Sequence, residues 1–285
     1  MRLLALTSLV MVAFAANSIL NRAALADEQI SPLLFAWVRA LSGAVALALM
    51  VVVRDRALSL AGPYRLAGVL SLSLYMLAFS VAYVDLDAGV GALILFGGVQ
   101  ITMICGALAA REIIPGRRWF GAALAFIGLV WLLWPAGPVQ ISPIHGALMC
   151  CAAIGWGIYS LVGRKSGEPL RATAANFILA APICISVPLF LPASPEGATD
   201  TTALGLSLAI LSGTVTSAMG YALWYSVLPR LTASVAGVGQ LTVPVIAVLG
   251  GIVILGEAVT ISFVIASVLV LGGVAVSVLD FRRKT

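Results

Sequence analysis

Apolar runs long enough to cross a bilayer follow one another from one end of this chain to the other, separated only by short clusters of charge, proline and glycine. A bilayer core roughly 30 Å thick is spanned by about 20 predominantly apolar residues in a helix. No stretch between the runs has the length of a soluble domain. Composition agrees: with 62% hydrophobic and 9% charged residues, a water-soluble protein of 285 residues would lack charge for its surface. Lipid is the solvent such a chain requires.

Reading the runs between their punctuation predicts an all-α membrane protein of ten transmembrane helices, near 3–23, 32–53, 64–84, 88–110, 118–134, 143–163, 170–191, 203–227, 232–255 and 259–279. Pro63, Pro143 and Pro169 fall just before or at helix starts, where a missing N–H costs nothing. The N-terminal segment has one competing reading. Arg2, an apolar run and Ala24-Leu25-Ala26 before Asp27 look like a secretory leader. Asn17, Asn21 and Arg22 make a poor cleavage region, and the repeat described below needs this segment as its first helix.

The net charge of +5 is spread over clusters between the runs, without a continuous basic face interleaved with aromatics, so nucleic acid is not an expected partner. The clusters orient the chain instead, because Lys and Arg are retained in cytoplasmic loops. Ten spans put Arg2, Arg54, Arg56, Arg65, Arg111, Arg117, Arg118, Arg164, Lys165, Arg171, Arg230, Arg282, Arg283 and Lys284 on one side. The other side keeps Arg22 with Asp27, Glu28, Asp85, Asp87, Glu196, Asp200 and Glu257. Both termini are therefore expected in the cytoplasm. Cys105, Cys150, Cys151 and Cys184 lie inside apolar segments without CxxC spacing and read as packing residues.

Sliding the chain against itself exposes an internal repeat. A shift of 145 residues pairs Ala88 with Ala233, Val90 with Val235, Glu112 with Glu257 and Gly128 with Gly273. A shift of 142 pairs Phe14 with Trp156, Ser18 with Ser160, Arg22 with Arg164 and Tyr83 with Tyr225. Two halves follow, 1–137 and 138–285, each of five helices. Five is odd, so the second half inserts upside down relative to the first. Inverted repeats exchange conformations about a midplane site, which is the architecture of alternating access.

The segment Tyr221-Ala-Leu-Trp224-Tyr225, Ala233-Ser-Val-Ala-Gly237, Pro244, Gly256-Glu257 and a glycine-rich last helix resembles the EamA-like exporters of the drug/metabolite transporter superfamily. Ala88 to Gly128 with Arg111-Glu112 is a weaker copy, and Ser31-Pro32 followed by Trp37-Val-Arg39 is similar to the family's second helix. The resemblance covers almost the whole chain. It implies ten helices, cytoplasmic termini, a central cavity lined by both halves, and export of amino acids or other metabolites across the inner membrane. The expected partners are a small-molecule substrate and the lipid bilayer, with the chain acting as a monomer. A passive channel or facilitator for small solutes is the alternative.

Polar groups within a span gather in the bundle interior or a wet cavity, which selects the candidate binding residues. Arg39 lies deep in the second helix, where it either snorkels to the interface, pairs with a carbonyl, or faces a substrate carboxylate. Among the buried amides, Gln100 and Gln240 are favoured over Asn17 and Asn176, because the resemblance places the fourth and ninth helices around the cavity. Tyr75, Phe79 and Tyr83 share a face of the third helix, as Tyr221, Trp224 and Tyr225 do on the eighth. With Trp156 and Tyr159 they suit a pocket for a small amphipathic solute, although Tyr83 and Tyr225 also suit an interfacial belt. Pro182 and Pro244, with Gly97 and Gly98 near the position equivalent to Pro244, are candidate hinges. No cofactor, metal or catalytic residue is expected, since the one histidine, His145, has no constellation around it and no phosphate-binding glycine loop is present. Glu257 is the nearest candidate for ion coupling.

Overall fold

The computed structural model describes residues 2–25, 29–56, 58–83, 86, 88–134, 142–187, 201–255 and 260–278. Asp27, Glu28, Asp85, Asp87, Glu196, Asp200, Glu257 and the three basic residues near the C-terminus lie outside them. Among the described residues, ten helical segments are long and apolar enough to cross a membrane. A helix meets this requirement because it closes its backbone hydrogen bonds within the segment.

The first half holds α1 (Arg2–Leu25), α2 (Pro32–Asp55), α3 (Arg65–Ala82), α4 (Ala88–Ala109) and α5 (Gly116–Leu133). The second holds α6 (Pro143–Gly163), α7 (Pro169–Ser186), α8 (Ala203–Arg230), α9 and α10 (Ile261–Val278). Starts are marked by local chemistry. Ser31 caps α2 ahead of Pro32, accepting from the Leu34 N–H at 3.4 Å, and Thr202 caps α8 through the Gly205 N–H at 3.0 Å.

Two spans depart from a plain α-helix, both in the second half. The eighth passes through a π-helical stretch, Ser212–Met219, and ends in a 3-10 turn, Leu228–Arg230. Thr214 donates its hydroxyl to the Ile210 carbonyl at 2.8 Å, and Thr216 Oγ1 stands between the Ser212 carbonyl at 3.0 Å and Asn17 Oδ1 at 2.9 Å. The ninth, predicted as one run over 232–255, divides into α9a (Ala233–Gln240) and α9b (Thr242–Leu255) around Leu241. Pro244 stands three residues into α9b. Its ring lacks an N–H and collides with the carbonyl four residues earlier, that of Gln240, which is where the helix ends. By contrast α4 runs through Gly97 and Gly98 unbroken, and α7 continues through Pro182.

The halves interlock. Gly121 packs against the Gly273 carbonyl and Ser277, and Gly128 against Leu269 and Val270, so the small face of α5 seats α10. Further packing joins α3 and α4 to α6, α2 to α7, and α1 to α9b. Large apolar side chains such as Leu4, Val53, Ile101 and Val268 point outward, as a lipid-facing surface requires.

Candidate functional site

Between the halves lies a small, partly open pocket. Its walls are Phe14, Asn17 and Ser18 of α1, Tyr75 and Phe79 of α3, Leu95 and Phe96 of α4, Trp156 of α6 and Tyr221 of α8. The four-residue spacing of Tyr75 and Phe79 puts both rings on one face of α3, with centroids 5.4 Å apart. Trp156 links the halves: its ring lies 4.9 Å from Tyr75, 5.2 Å edge-on from Phe14 and 4.7 Å from Tyr221. The walls from α1, α3 and α4 lie in the halves of those helices farther from the arginine clusters. The pocket is thus displaced toward that end, with Trp156 and Tyr221 as its floor.

Arg39 sits one layer behind this floor and is wholly buried. Its Nε donates to Ser217 Oγ at 2.7 Å and its Nη2 to Tyr221 Oη. The third nitrogen, Nη1, is buried with no partner. The guanidinium carbon stands 5.7 Å from the Tyr75 ring centroid and 6.0 Å from that of Tyr221. Neutral hydroxyls and ring faces therefore hold the cation, and among the described residues its salt-bridge partners include no carboxylate. Gly213 makes this placement possible. A Cβ there would run into the Arg39 carbonyl and Ser42 Oγ, so glycine lets the π-helical backbone lie directly on α2.

The other expected binding residues stand behind the pocket wall or below it. Gln240, at the last position of α9a, accepts the Trp156 indole N–H at 2.6 Å and so fixes that ring. Gln100 is buried with both amide atoms unpaired and packs beside Gly237. Trp224 donates to Ser160 Oγ at 3.1 Å, and Tyr159 stacks on Tyr225 with centroids 4.7 Å apart. Tyr225 is wholly buried, with its hydroxyl on the Tyr159 carbonyl at 3.1 Å and the Asn176 amide at 3.3 Å, so it belongs to the interior rather than to an interfacial belt. Gly97 meets Phe126 and Gly98 meets Ala153, which gives the pair a close-packing role.

Asn17, Ser18, Phe14, Leu95 and Phe96 are wall residues that the sequence did not single out as binding residues. The repeat held a signal for one of them, since it pairs Phe14 with Trp156. Asn17 is fixed by the second half: its Oδ1 accepts from Ser212 Oγ at 2.7 Å and Thr216 Oγ1 at 2.9 Å.

Bonds between clusters bring the arginine-bearing helix ends together, so they define one basic end of the bundle. Arg171 reaches Asp55 at 2.7 Å, Arg65 reaches the Ala172 carbonyl at 2.7 Å, and Arg164 reaches the Leu231 carbonyl at 3.0 Å. Glu112, between α4 and α5, closes the start of α9a. It accepts the Ala233 N–H at 2.9 Å, the Ser234 hydroxyl, and Arg118 Nη1 at 3.1 Å. Desolvation works against its charge, yet hydrogen bonds from Ser234, Thr232 and the Ala233 N–H outweigh it and hold the carboxyl below its ordinary range. Together with the Tyr159–Tyr225 stack, this contact seals the basic end beneath the pocket.

Known proteins share this plan. Residues 1–134 and 145–279 each match the EamA-like transporter family. The chain is 43% identical over 276 residues to an uncharacterized protein of Pseudomonas aeruginosa, covering 96% of this chain and 93% of that one. It is 26% identical over 227 residues to a Salmonella typhimurium protein named a probable amino-acid metabolite efflux pump, covering 76% of each. A solved crystal structure superposes with a TM-score of 0.76 at 20% identity, over 95% of this chain and 98% of that one, which shows the same fold.

Proposed function

Because the chain belongs to the EamA-like transporter family, a family of multi-pass inner-membrane proteins that move small molecules, we propose that it is a secondary transporter exporting small carboxylated metabolites of the amino-acid class by alternating access. The observation that carries this reading is Arg39. A guanidinium held in a span costs at least about 2.5 kcal/mol to insert, and one of its nitrogens stays unpaired behind an aromatic pocket. An anionic group entering beside Tyr75 and Tyr221 meets the positive field of that guanidinium, and the rings hold its apolar remainder. The printed name of the Salmonella relative supports the amino-acid class. The repeats 1–137 and 138–285 act as the two rocking bodies, the break around Leu241 and the π-helical stretch of α8 as hinges, and one chain suffices because the pocket lies within it.

The basic end is expected to face the cytoplasm, because Lys and Arg are retained there. The pocket then stands on the outward side of a seal formed by Glu112, Tyr159 and Tyr225. A reporter fused after Thr285 is expected on the cytoplasmic side and one inserted between Pro135 and Ser142 on the other.

A facilitator is the second reading, and one placement favours it. Among the described residues the acids and the histidine stand at helix ends: Asp55, Glu112, Glu168 and His145. The solute's own gradient would then drive export. Liposomes reconstituted with the protein and a labelled amino-acid panel, with and without a pH gradient, decide among these readings. Saturable uptake with counterflow supports alternating access, acceleration by the gradient identifies proton coupling, and flux that never saturates points to a channel. Arg39→Lys is expected to keep part of the activity and Arg39→Gln to lose most of it, measured per molecule surviving size-exclusion chromatography. Unchanged turnover for Arg39→Gln rejects recognition by Arg39.

A further inference from the structure

The polar groups around the pocket are unequal in kind. Asn17 Oδ1 is already occupied by the hydroxyls of Ser212 and Thr216, which leaves its amide nitrogen, a donor, for a ligand. The Trp156 indole is spent on Gln240, and Ser18 Oγ donates to the Phe14 carbonyl at 3.3 Å. Tyr221 Oη accepts from Arg39, which polarises its own O–H toward donation. None of the nine wall residues is acidic.

An ammonium group would find little here. Aromatic faces attract cations, but the Tyr75 and Tyr221 faces already lie within 5.7 and 6.0 Å of the Arg39 guanidinium. A second cation on them would be repelled by the first. Ser18 and the tyrosine hydroxyls are left as neutral acceptors, with no carboxylate among the wall residues to balance an ammonium charge. A carboxylate, an oxo group or an acyl oxygen, by contrast, meets the Asn17 amide and the tyrosine hydroxyls, with the positive field of Arg39 behind them.

We propose that the pocket selects amphipathic monocarboxylates whose amino group is absent or blocked over free zwitterionic amino acids. This rests on the exporter reading above and narrows its substrate class to deaminated or N-acylated relatives of apolar amino acids. The carboxylate is drawn to the floor at Tyr221, and the apolar part lies among Phe14, Phe79 and Trp156.

The test is calorimetric titration of the full chain in detergent at neutral pH with four probes sharing one aromatic group: 3-phenylpropanoate, N-acetyl-L-phenylalanine, L-phenylalanine and phenethylamine. The first two are expected to bind at least about tenfold more tightly than L-phenylalanine, equivalent to about 1.4 kcal/mol, and phenethylamine not at all. Tyr221→Phe, which keeps the ring, is expected to weaken the two acids severalfold and to shrink their advantage. L-phenylalanine binding as tightly as 3-phenylpropanoate overturns the selection, while counterflow of labelled N-acetyl-L-phenylalanine in liposomes reports on the exporter reading by itself. Failure of both amine-free and blocked acids to bind also overturns it, as does phenethylamine binding as tightly as either acid.

Discussion

α3 and α4 run as uninterrupted α-helices, whereas α8 and α9, their counterparts in the repeat, are a π-helical span and a broken one. The same repeat pattern is thus regular in one half and irregular in the other. The chemistry behind the difference is local. Where α8 has Gly213, whose missing side chain lets its backbone rest on α2, α3 has Ser71 at the paired position, bonded back to Gly68 at 3.2 Å. Where α9 has Pro244, α4 has Val99, which keeps its N–H. Softness lies next to the chemistry: the π-helical stretch supplies Ser217 to Arg39 and holds Asn17, and the break follows directly on Gln240, which holds Trp156. Irregular backbone of this kind is sustained inside a membrane only where surrounding protein or a cavity satisfies it.

The largest expected effect comes from crowding the soft half at its tightest crossing. Gly213→Ala pushes a methyl into the Arg39 backbone carbonyl, and overpacking of this kind costs about 1–3 kcal/mol. Its paired change in the stiff half, Ser71→Ala, removes one hydroxyl bond worth about 1 kcal/mol. Thermal unfolding of the two purified variants is expected to rank them in that order, with Gly213→Ala also disturbing Arg39. Equal melting points would mean that a methyl at position 213 costs no more than one lost hydroxyl bond, so the crossing on α2 is not tight.

Next comes an attempt to make α9 resemble α4. Pro244→Ala restores the N–H that the Gln240 carbonyl lacks, so the two segments of α9 are expected to join. Stability should change by no more than about 1 kcal/mol, but turnover in liposomes should fall severalfold if the break is a hinge. Full turnover with a continuous α9, seen by hydrogen exchange at Leu241, separates the break from transport.

The smallest effect concerns the seal on α9a. Glu112→Gln removes the ion pair with Arg118 and weakens the charge at the helix start, a loss of about 1 kcal/mol or less. The sign with pH follows from its lowered carboxyl: the stabilisation is complete above the ordinary glutamate value of 4.5 and disappears as pH falls through the lowered one. A plot of melting temperature against pH should therefore show wild type and Glu112→Gln converging in acid and separating near neutrality. Parallel curves would show that the contact adds no stability. Glu112→Gln should also ease opening of the basic end.

Sequence alone determined the number of spans and the repeat. Both are written in local and periodic terms: apolar length is matched to bilayer thickness, charge is confined to the ends, and residues recur at fixed shifts. It also marked the residues that have no reason to be in lipid, and Tyr75, Phe79, Trp156 and Tyr221 do meet around one pocket. Only the tertiary structure decided how those residues divide between wall and support. Arg39, Gln240, Tyr159 and Trp224 read like the others in sequence, yet each bonds or stacks behind the wall, because facing a cavity depends on helix rotation and on neighbours 64 to 182 residues away in the chain. The break in α9 was half legible, since Pro244 announced it while its exact place at Leu241 followed from the carbonyl that the proline ring displaces. The π-helical stretch was not legible at all. Its threonines are ordinary residues in an apolar run, and what makes their loosened backbone tenable is the close seat on α2 and the bonds to Asn17 and Arg39, contacts that exist only once the two halves have come together.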